Sequence, residues 1–475
     1  MQNVDVSPSI VNLRQIVEGL CPGTRAAFER VFSIDVSVSE LVIPHGFKPK
    51  VARWFSLPGD TDSKQAIDRA ERQTIVKVLN KHTLDCTLFN SLRAMKPLPT
   101  LDLSAEDALN DFINKNCFDR TCDFCVPLGS TPCEVWGRLE SEHCLTAANV
   151  ARGDCHHGLL IFRKHHPMEF GVMEVRDITA TFVRWCARVQ ESLAGAATPE
   201  LPPSTNSAGL SSTADGVPAQ EGGDGGTSGD EHGEGKTNQD DDDHEGDKNT
   251  DSGDEEESSS GGGTADNGNL PVYGTMLWNC MPKAGASQPH GHAQMTLTKE
   301  YPGKAMALQR TVARYNARKP KPIIPGEDHD YFYHWVAAHD VVGLARHFQD
   351  DVTVLASLTP AKERELYVIG PMGAAADHPV FQDALFAAVR TLIDNCGTRA
   401  FNVVVHMPAK KENQKNELPL MARLVDRGAF GGPSDVGAFE MFATPLVASD
   451  PFTLIQAFDV YVAKQYGHRR LQPIS

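Results

Sequence analysis

The chain has 475 residues, 62 acidic and 45 basic side chains, and a formal net charge of −17. Nineteen of those acids and only two lysines fall in residues 197–269, so the rest of the sequence is balanced at 43 acids and 43 bases. No basic face is implied, which argues against a nucleic-acid partner. No run approaches the roughly 18 apolar residues that a membrane span needs.

The first residues, MQNVDVSPSIVNLRQIVEGL, lack a basic start followed by an apolar core, so no secretory signal is expected. The 11 cysteines are irregularly spaced. A cytoplasmic, reducing location is expected, and there a close cysteine pair points to metal before disulfide.

Residues 1–110 contain helical pieces, among them a run over 60–80, but no motif. Next comes CFDRTCDFC (117–125), in which Cys122 and Cys125 have the spacing of many zinc ligands. The stretch HGLLIFRK (157–164) reads as a strand, and 174–193 reads as a helix, with Val175, Ile178, Phe182, Val183, Cys186 and Val189 at helical spacing. Residues 197–269 are Gly, Ser, Thr, Asp and Glu with almost no apolar content. Such a segment cannot bury enough surface to offset its ordering entropy, so it is expected to be disordered. A helix before it and the strand-like LPVYGTMLWNC (270–280) after it mark it as an insertion within one fold. Long excursions of this kind cost little closure entropy.

Further strands are expected at 294–298, 352–358, 366–370 and 400–407. Further helices are expected at 303–316, 334–347, 378–395 and 451–465. The mixture predicts an α+β protein.

The densest signal is NCMPKAGASQPHGHAQMTL (279–297). Residues two apart on a strand share a face, so His290, His292 and Gln294 line up, while Gly291 and Ala293 point the other way into close packing. An imidazole can attack phosphorus and leave again, splitting one hard displacement into two easier ones. Its second ring nitrogen must be held by an acceptor. The backbone of a small-residue loop such as KAGAS (283–287), with Lys283 and Ser287, can steady phosphate oxygens.

Asn279, Gly285, Ser287, Pro289, His290, His292 and Gln294 together resemble the galactose-1-phosphate uridylyltransferase and diadenosine tetraphosphate phosphorylase branch of the histidine-triad superfamily. The resemblance implies two duplicated halves, each an antiparallel or mixed sheet with flanking helices, over 111–196 plus 270–310 and over 311–475. It implies that His292 is the nucleophile, His290 its supporting histidine, and Gln294 and Ser287 ligands of the transferred phosphate. Asn279, Gly285, Lys283 and Asn149 would serve the nucleotide. A glutamine at the third position cannot act as an acid, which suits transfer to phosphate over hydrolysis. The C-terminal VGAFEMFATP (436–445) resembles the strand and proline turn that end the uridylyltransferases.

Some uridylyltransferases bind zinc through such a cysteine pair and two histidines, which implies Cys122, Cys125, His165 (or His166) and His290 here, with His156 and His157 as rivals. No organic cofactor is implied. In the second half, His406 and the charged Lys362, Glu363 and Arg364 are weaker candidates for substrate contacts.

The expected activity is ping-pong nucleotidyl transfer. The donor would be a nucleotide-sugar or dinucleoside polyphosphate, and the acceptor phosphate or a sugar 1-phosphate. Phosphorylase and adenylyltransferase chemistry is favoured over hexose-1-phosphate uridylyl transfer. A nucleotide hydrolase and a non-catalytic nucleotide-binding scaffold are the other classes, and related enzymes are often homodimers.

Overall fold

After residue 140 strand-like runs alternate with amphipathic helices, and in the computed structural model all but one short strand of this region join one sheet. The structure describes residues 7–95, 106–118, 122–195, 272–319, 330–349, 352–409, 416–429, 436–467 and 471–472. The acidic insertion expected at 197–269 lies outside the described residues. Among those described, no helix is long and apolar enough to cross a membrane.

A four-stranded sheet comes first: β1 (Phe32–Glu40), β2 (Arg72–Asn80) and β3 (Cys86–Phe89), with the distant β13 (Leu446–Val447) parallel to β3. The helix expected over 60–80 is thus a helix Ser63–Glu71 that passes directly into β2.

Among the described residues the second sheet has ten strands. They are β4 (Cys144–Ala148), β5 (His157–Phe162), β6 (Tyr273–Cys280), β7 (His292–Thr298), β8 (Ala345–Phe348), β9 (Thr353–Ala356), β10 (Leu366–Ile369), β11 (Phe401–Met407), β12 (Met421–Asp426) and β14 (Leu471–Gln472). Their spatial order is β14-β8-β9-β10-β12-β11-β6-β7-β5-β4.

The centre of that order is palindromic. Leu277 on β6 pairs with Val404 on β11. Outward from there, Leu277 pairs with Gln294 and Gln294 with Leu159, while Val404 pairs with Arg423 and Arg423 with Tyr367. An approximate two-fold axis therefore runs between Leu277 and Val404, and the α+β fold is duplicated as expected. By this register Arg423 stands where Gln294 stands, and Met421 where His292 stands.

One face of the sheet is apolar, as the alternation in β11 dictates: Phe401, Val403, Val405 and Met407 are buried. The helices Val172–Gly195 and Pro379–Arg390 cover it and pack on each other. Arg176 donates to Asp383 at 2.6 Å, and Gln382 donates to Thr179 at 2.8 Å, tying one half to the other. A Cβ on Gly158 would come within 2.9 Å of the Trp185 indole, so strand and helix meet there with no space for a side chain. The opposite face carries Gln294, Asn279, Asn402, His406, Arg423 and Tyr367.

Two expected elements differ. The helix read over 334–347 is Tyr331–Asp340; Gly343, at φ +81°, turns the chain into β8. The strand read in VGAFEMFATP is a short helix, Ala438–Phe442, because Glu440 reaches back to accept from the Gly437 amide at 3.0 Å. The final helix is Pro451–Tyr466, as expected.

His339 gives this fold a measurable acid sensitivity. It is fully buried, its Nδ1–H donates to the Trp335 carbonyl at 2.8 Å, and its Nε2 accepts from the Leu358 amide at 3.2 Å. Burial holds its pKa down at about 4, whereas an unfolded histidine protonates near pH ~6.5. Between those values the unfolded chain binds a proton that the folded chain refuses. Stability therefore falls with falling pH, by about 1.4 kcal/mol per pH step from this residue. His339→Gln is expected to remove that part of the slope in denaturant unfolding followed from pH 7 to pH 5.

Candidate active site

Strand β7 begins at His292, so His292 and Gln294 share its polar face, while His290 precedes the strand and faces elsewhere. A Cβ on Gly291 would stand 2.6 Å from the Phe162 ring and 3.3 Å from the Pro167 backbone. Only glycine lets the chain pass there, in keeping with the close packing expected at that position.

His292 is 4% exposed. Its Nδ1–H donates to the backbone carbonyl of His290 at 2.8 Å, which leaves the lone pair on Nε2. The acceptor that the chemistry requires is thus the peptide oxygen of His290, the residue that the resemblance gave as the supporting histidine. Burial pushes the His292 pKa down, partly opposed by that hydrogen bond, so the ring is held neutral. Phe124 packs edge-on at 5.1 Å between ring centroids.

Gln294 is oriented by a residue that the sequence reading weighed only as a metal ligand. The Gly153 amide donates to His157 Nδ1 at 2.9 Å, so the proton sits on Nε2, which donates to Gln294 Oε1 at 2.9 Å. The Gln294 carbonyl is thereby committed, and its NH₂ is left as the donor. His157 faces Thr296 across the β5–β7 ladder, one diagonal step from Gln294. The alternation in HHGLLIF was the available signal. Asn149 lies beside this pair, with Nδ2 at 3.1 Å from His157 Nε2 and Oδ1 accepting from the Ala151 amide.

The loop between β6 and β7 opens at Met281, whose φ of 73° and ψ of 154° are costly for a side chain with a Cβ. Gly285, at φ 90°, closes the tight turn that follows. Asn402 Nδ2 donates to Asn279 Oδ1 at 2.7 Å and to the Ala284 carbonyl at 2.8 Å, and Arg427 donates to Asn402 Oδ1 at 2.6 Å. Asn279 therefore ties the loop to β11. Ser287 is exposed on this loop and Lys283 is half-buried.

Cys122, Cys125, His165 and His290 come together, with one ligand atom from each lying within 4.8 Å of all the others. His290 Nε2–H donates to the Phe162 carbonyl at 2.7 Å, and His165 Nε2–H donates to the Ile113 carbonyl at 2.6 Å. Both Nδ1 atoms then present lone pairs, yet they stand only 3.1 Å apart. Two acceptors at that distance repel unless a cation lies between them. Cys122 and Cys125 Sγ are each 3.5 Å from His290 Nδ1. Such separations suit the edges of a tetrahedron with metal bonds of about 2.0–2.3 Å. His166 turns away to Asn110, and His157 serves Gln294, so neither joins the cluster.

The second-half candidates lie apart. His406 sits on β11, 3.4 Å from Thr275 Oγ1; burial and then Arg423 push its pKa down to about 4. Both Glu363 carboxylate oxygens accept from backbone amides, those of Ala448 and Ser449, so this residue holds the turn before the last helix. Arg364 pairs with Asp426. Lys362 lines a separate cavity.

In sequence, no family model and no curated protein matches the chain. In fold it is similar to several solved structures. For an ADP-glucose phosphorylase from Arabidopsis thaliana with bound ADP-glucose, the TM-score is 0.46 at 11% identity, covering 78% of this chain and 94% of that one. For a uridylyltransferase, the TM-score is 0.41 at 10% identity, covering 69% and 87%. For the yeast Ap4A phosphorylase in complex with AMP, it is 0.28 at 12% identity, covering 88% and 94%. At such values the likeness carries no chemistry of its own, and the reading of the site rests on the geometry above. The structures to which it is similar are thus two phosphorylases and a uridylyltransferase.

Proposed function

We propose that the chain is a nucleotidyltransferase that works through a covalent nucleotidyl-His292, as a phosphorylase or adenylyltransferase of a dinucleoside polyphosphate or nucleotide-sugar. The observation that carries this reading is the buried His292, with its proton held on Nδ1 by the His290 carbonyl and its lone pair left on Nε2, two residues before Gln294 on the same face of β7. In the first step Nε2 attacks the α-phosphorus. The P–N bond forms and the bond to the bridging oxygen breaks, so a phosphate-bearing group leaves. In the second step an oxygen of the phosphate acceptor attacks the same phosphorus, and the P–N bond breaks. The Gln294 NH₂ and the loop amides around Ser287 and Gly285 stabilise charge on the non-bridging oxygens. Phosphate attacks without help from a base, which fits a third position that cannot titrate.

Cys122, Cys125, His165 and His290 would hold a zinc ion. Four protein ligands close its coordination, so the ion would fix structure and leave the reaction to the side chains. Through His290 the site would hold the carbonyl that orients His292.

The test is incubation with α-phosphate-labelled ATP, diadenosine tetraphosphate, UDP-glucose, GDP-glucose or ADP-glucose. Label that stays on the protein in alkali, leaves in mild acid and is chased by phosphate supports the reading. Chase only by a sugar 1-phosphate would move the assignment to the uridylyltransferase type. Discharge by water alone would make the protein a hydrolase, and no label with nucleotide still bound would leave a scaffold.

His157→Leu is expected to lower the rate of label transfer about tenfold, the cost of roughly one misaligned hydrogen bond in the transition state. Donor affinity should change little, since Gln294 remains and only its amide orientation is freed. Single-turnover kinetics at varied donor concentration separate the two effects.

A further inference from the structure

The duplicated fold raises the question of what the second half's polar face does. The register equates His292 with Met421, which has no lone pair suited to attack on phosphorus, so this half does not repeat the chemistry. It equates Gln294 with Arg423 and, one diagonal step away, His157 with Glu365. The Arg423–Glu365 pair, at 2.8 Å, thus occupies the place of the Gln294–His157 pair. A neutral amide in one half is a guanidinium in the other.

Arg423 opens onto a cavity of about 1260 Å³, larger than the roughly 300–1,000 Å³ of common small-molecule sites. It lies three strands from Gln294, about 14 Å at ordinary strand spacing. Lys304, Arg310, Arg314, Lys362 and Arg423 line it, against Asp85 and Glu440 as the acids among its lining residues. Arg423 is offset by its partner Glu365, and the other four cations outnumber the two acids; in a sequence that is neutral overall outside the acidic insertion, this is a local concentration of charge. Arg310 and Arg314 are exposed and one helical turn apart on the helix Gly303–Ala317, so both face the same side. The first residues of that helix, Gly303 and Lys304, also line the cavity, adding the positive end of its dipole. Three buried aromatics, Tyr331, Phe332 and Trp335, are also among its lining residues.

We infer that this cavity is a second ligand site that binds a nucleoside polyphosphate reversibly, apart from the His292 centre. The phosphates lie along Lys304, Arg310 and Arg314, and the base lies toward Phe332 and Trp335. A lining that combines cations with aromatic rings matches a ligand that is anionic at one end and planar and apolar at the other. The inference does not depend on covalent chemistry at His292.

The experiment titrates the full chain with ATP and, separately, with inorganic tripolyphosphate, by calorimetry and by tryptophan emission. ATP is expected to bind the His292→Ala protein with the emission change retained, and Trp335→Phe should remove that change. Arg310→Glu with Arg314→Glu should weaken the Trp335-reported ATP binding at least tenfold. If the double variant does not fold, Lys304→Glu carries the same test with a smaller loss. Unchanged ATP affinity in the charge-reversed protein would overturn the site. Tripolyphosphate binding as tightly as ATP would overturn its assignment to a nucleoside.

Discussion

Replacing His292 by alanine is expected to abolish the acid-labile label and to lower nucleotidyl transfer by at least about 10³-fold, the scale set by loss of a nucleophile in covalent catalysis. Among the described residues the side chain makes one hydrogen bond, to the His290 carbonyl, and its loss leaves that carbonyl without this donor. The fold, held by the two helices across the opposite sheet face, should survive with an unchanged melting profile. Nucleotide affinity should stay within a few-fold, because Gln294 and the loop amides still meet the phosphate. The combination separates the readings. A scaffold predicts no change beyond affinity. A transferase predicts intact binding with the covalent step gone. Retention of transfer within tenfold of the parent would sink the His292 mechanism.

Much of this site was legible because strand chemistry is local. The alternation of His292 and Gln294, the closeness demanded at Gly291 and the strand before His165 all follow from a period of two. What the alternation misplaced is His290. Read by spacing it belongs in the row, but its ring is drawn to Cys122, Cys125 and His165, three residues far away in sequence. Its peptide oxygen accepts from His292 Nδ1. The Gln294–His157 bond was missed for the same reason: it joins two strands separated by the whole acidic insertion.

The first hundred residues show the other limit. Ala66 and Ala70 are buried at helical spacing and Val76 and Val78 at strand spacing, with no Gly or Pro anywhere from Ala66 to Val78 to mark the switch. The sequence pattern runs on while the structure changes. The pairing of β3 with β13 spans more than three hundred residues and has no local trace. The strand expected in VGAFEMFATP failed on one contact, the return of Glu440 to the Gly437 amide, which starts a helix where the family resemblance implied an extended chain.

Stripping metal from the protein should be the second large effect. Elemental analysis is expected to find about one zinc per chain, and chelation or Cys122→Ser should lower the melting temperature by on the order of 10 °C. The physical reason is the pair of Nδ1 lone pairs on His165 and His290, held 3.1 Å apart by ring N–H bonds to the Ile113 and Phe162 carbonyls. With no cation, the rings must rotate out of those bonds, or one must take a proton in a site where burial pushes the His290 pKa down to about 4. Either route loosens the residue whose carbonyl fixes the tautomer of His292. Metal loss should therefore slow label formation about 10- to 100-fold, the usual scale for disturbing the groups that orient a reacting residue, while ATP still binds. Restoring zinc should restore both the melting temperature and the rate. A protein that is metal-free as purified, and equally stable and active with chelator present, would show that the four residues meet without an ion.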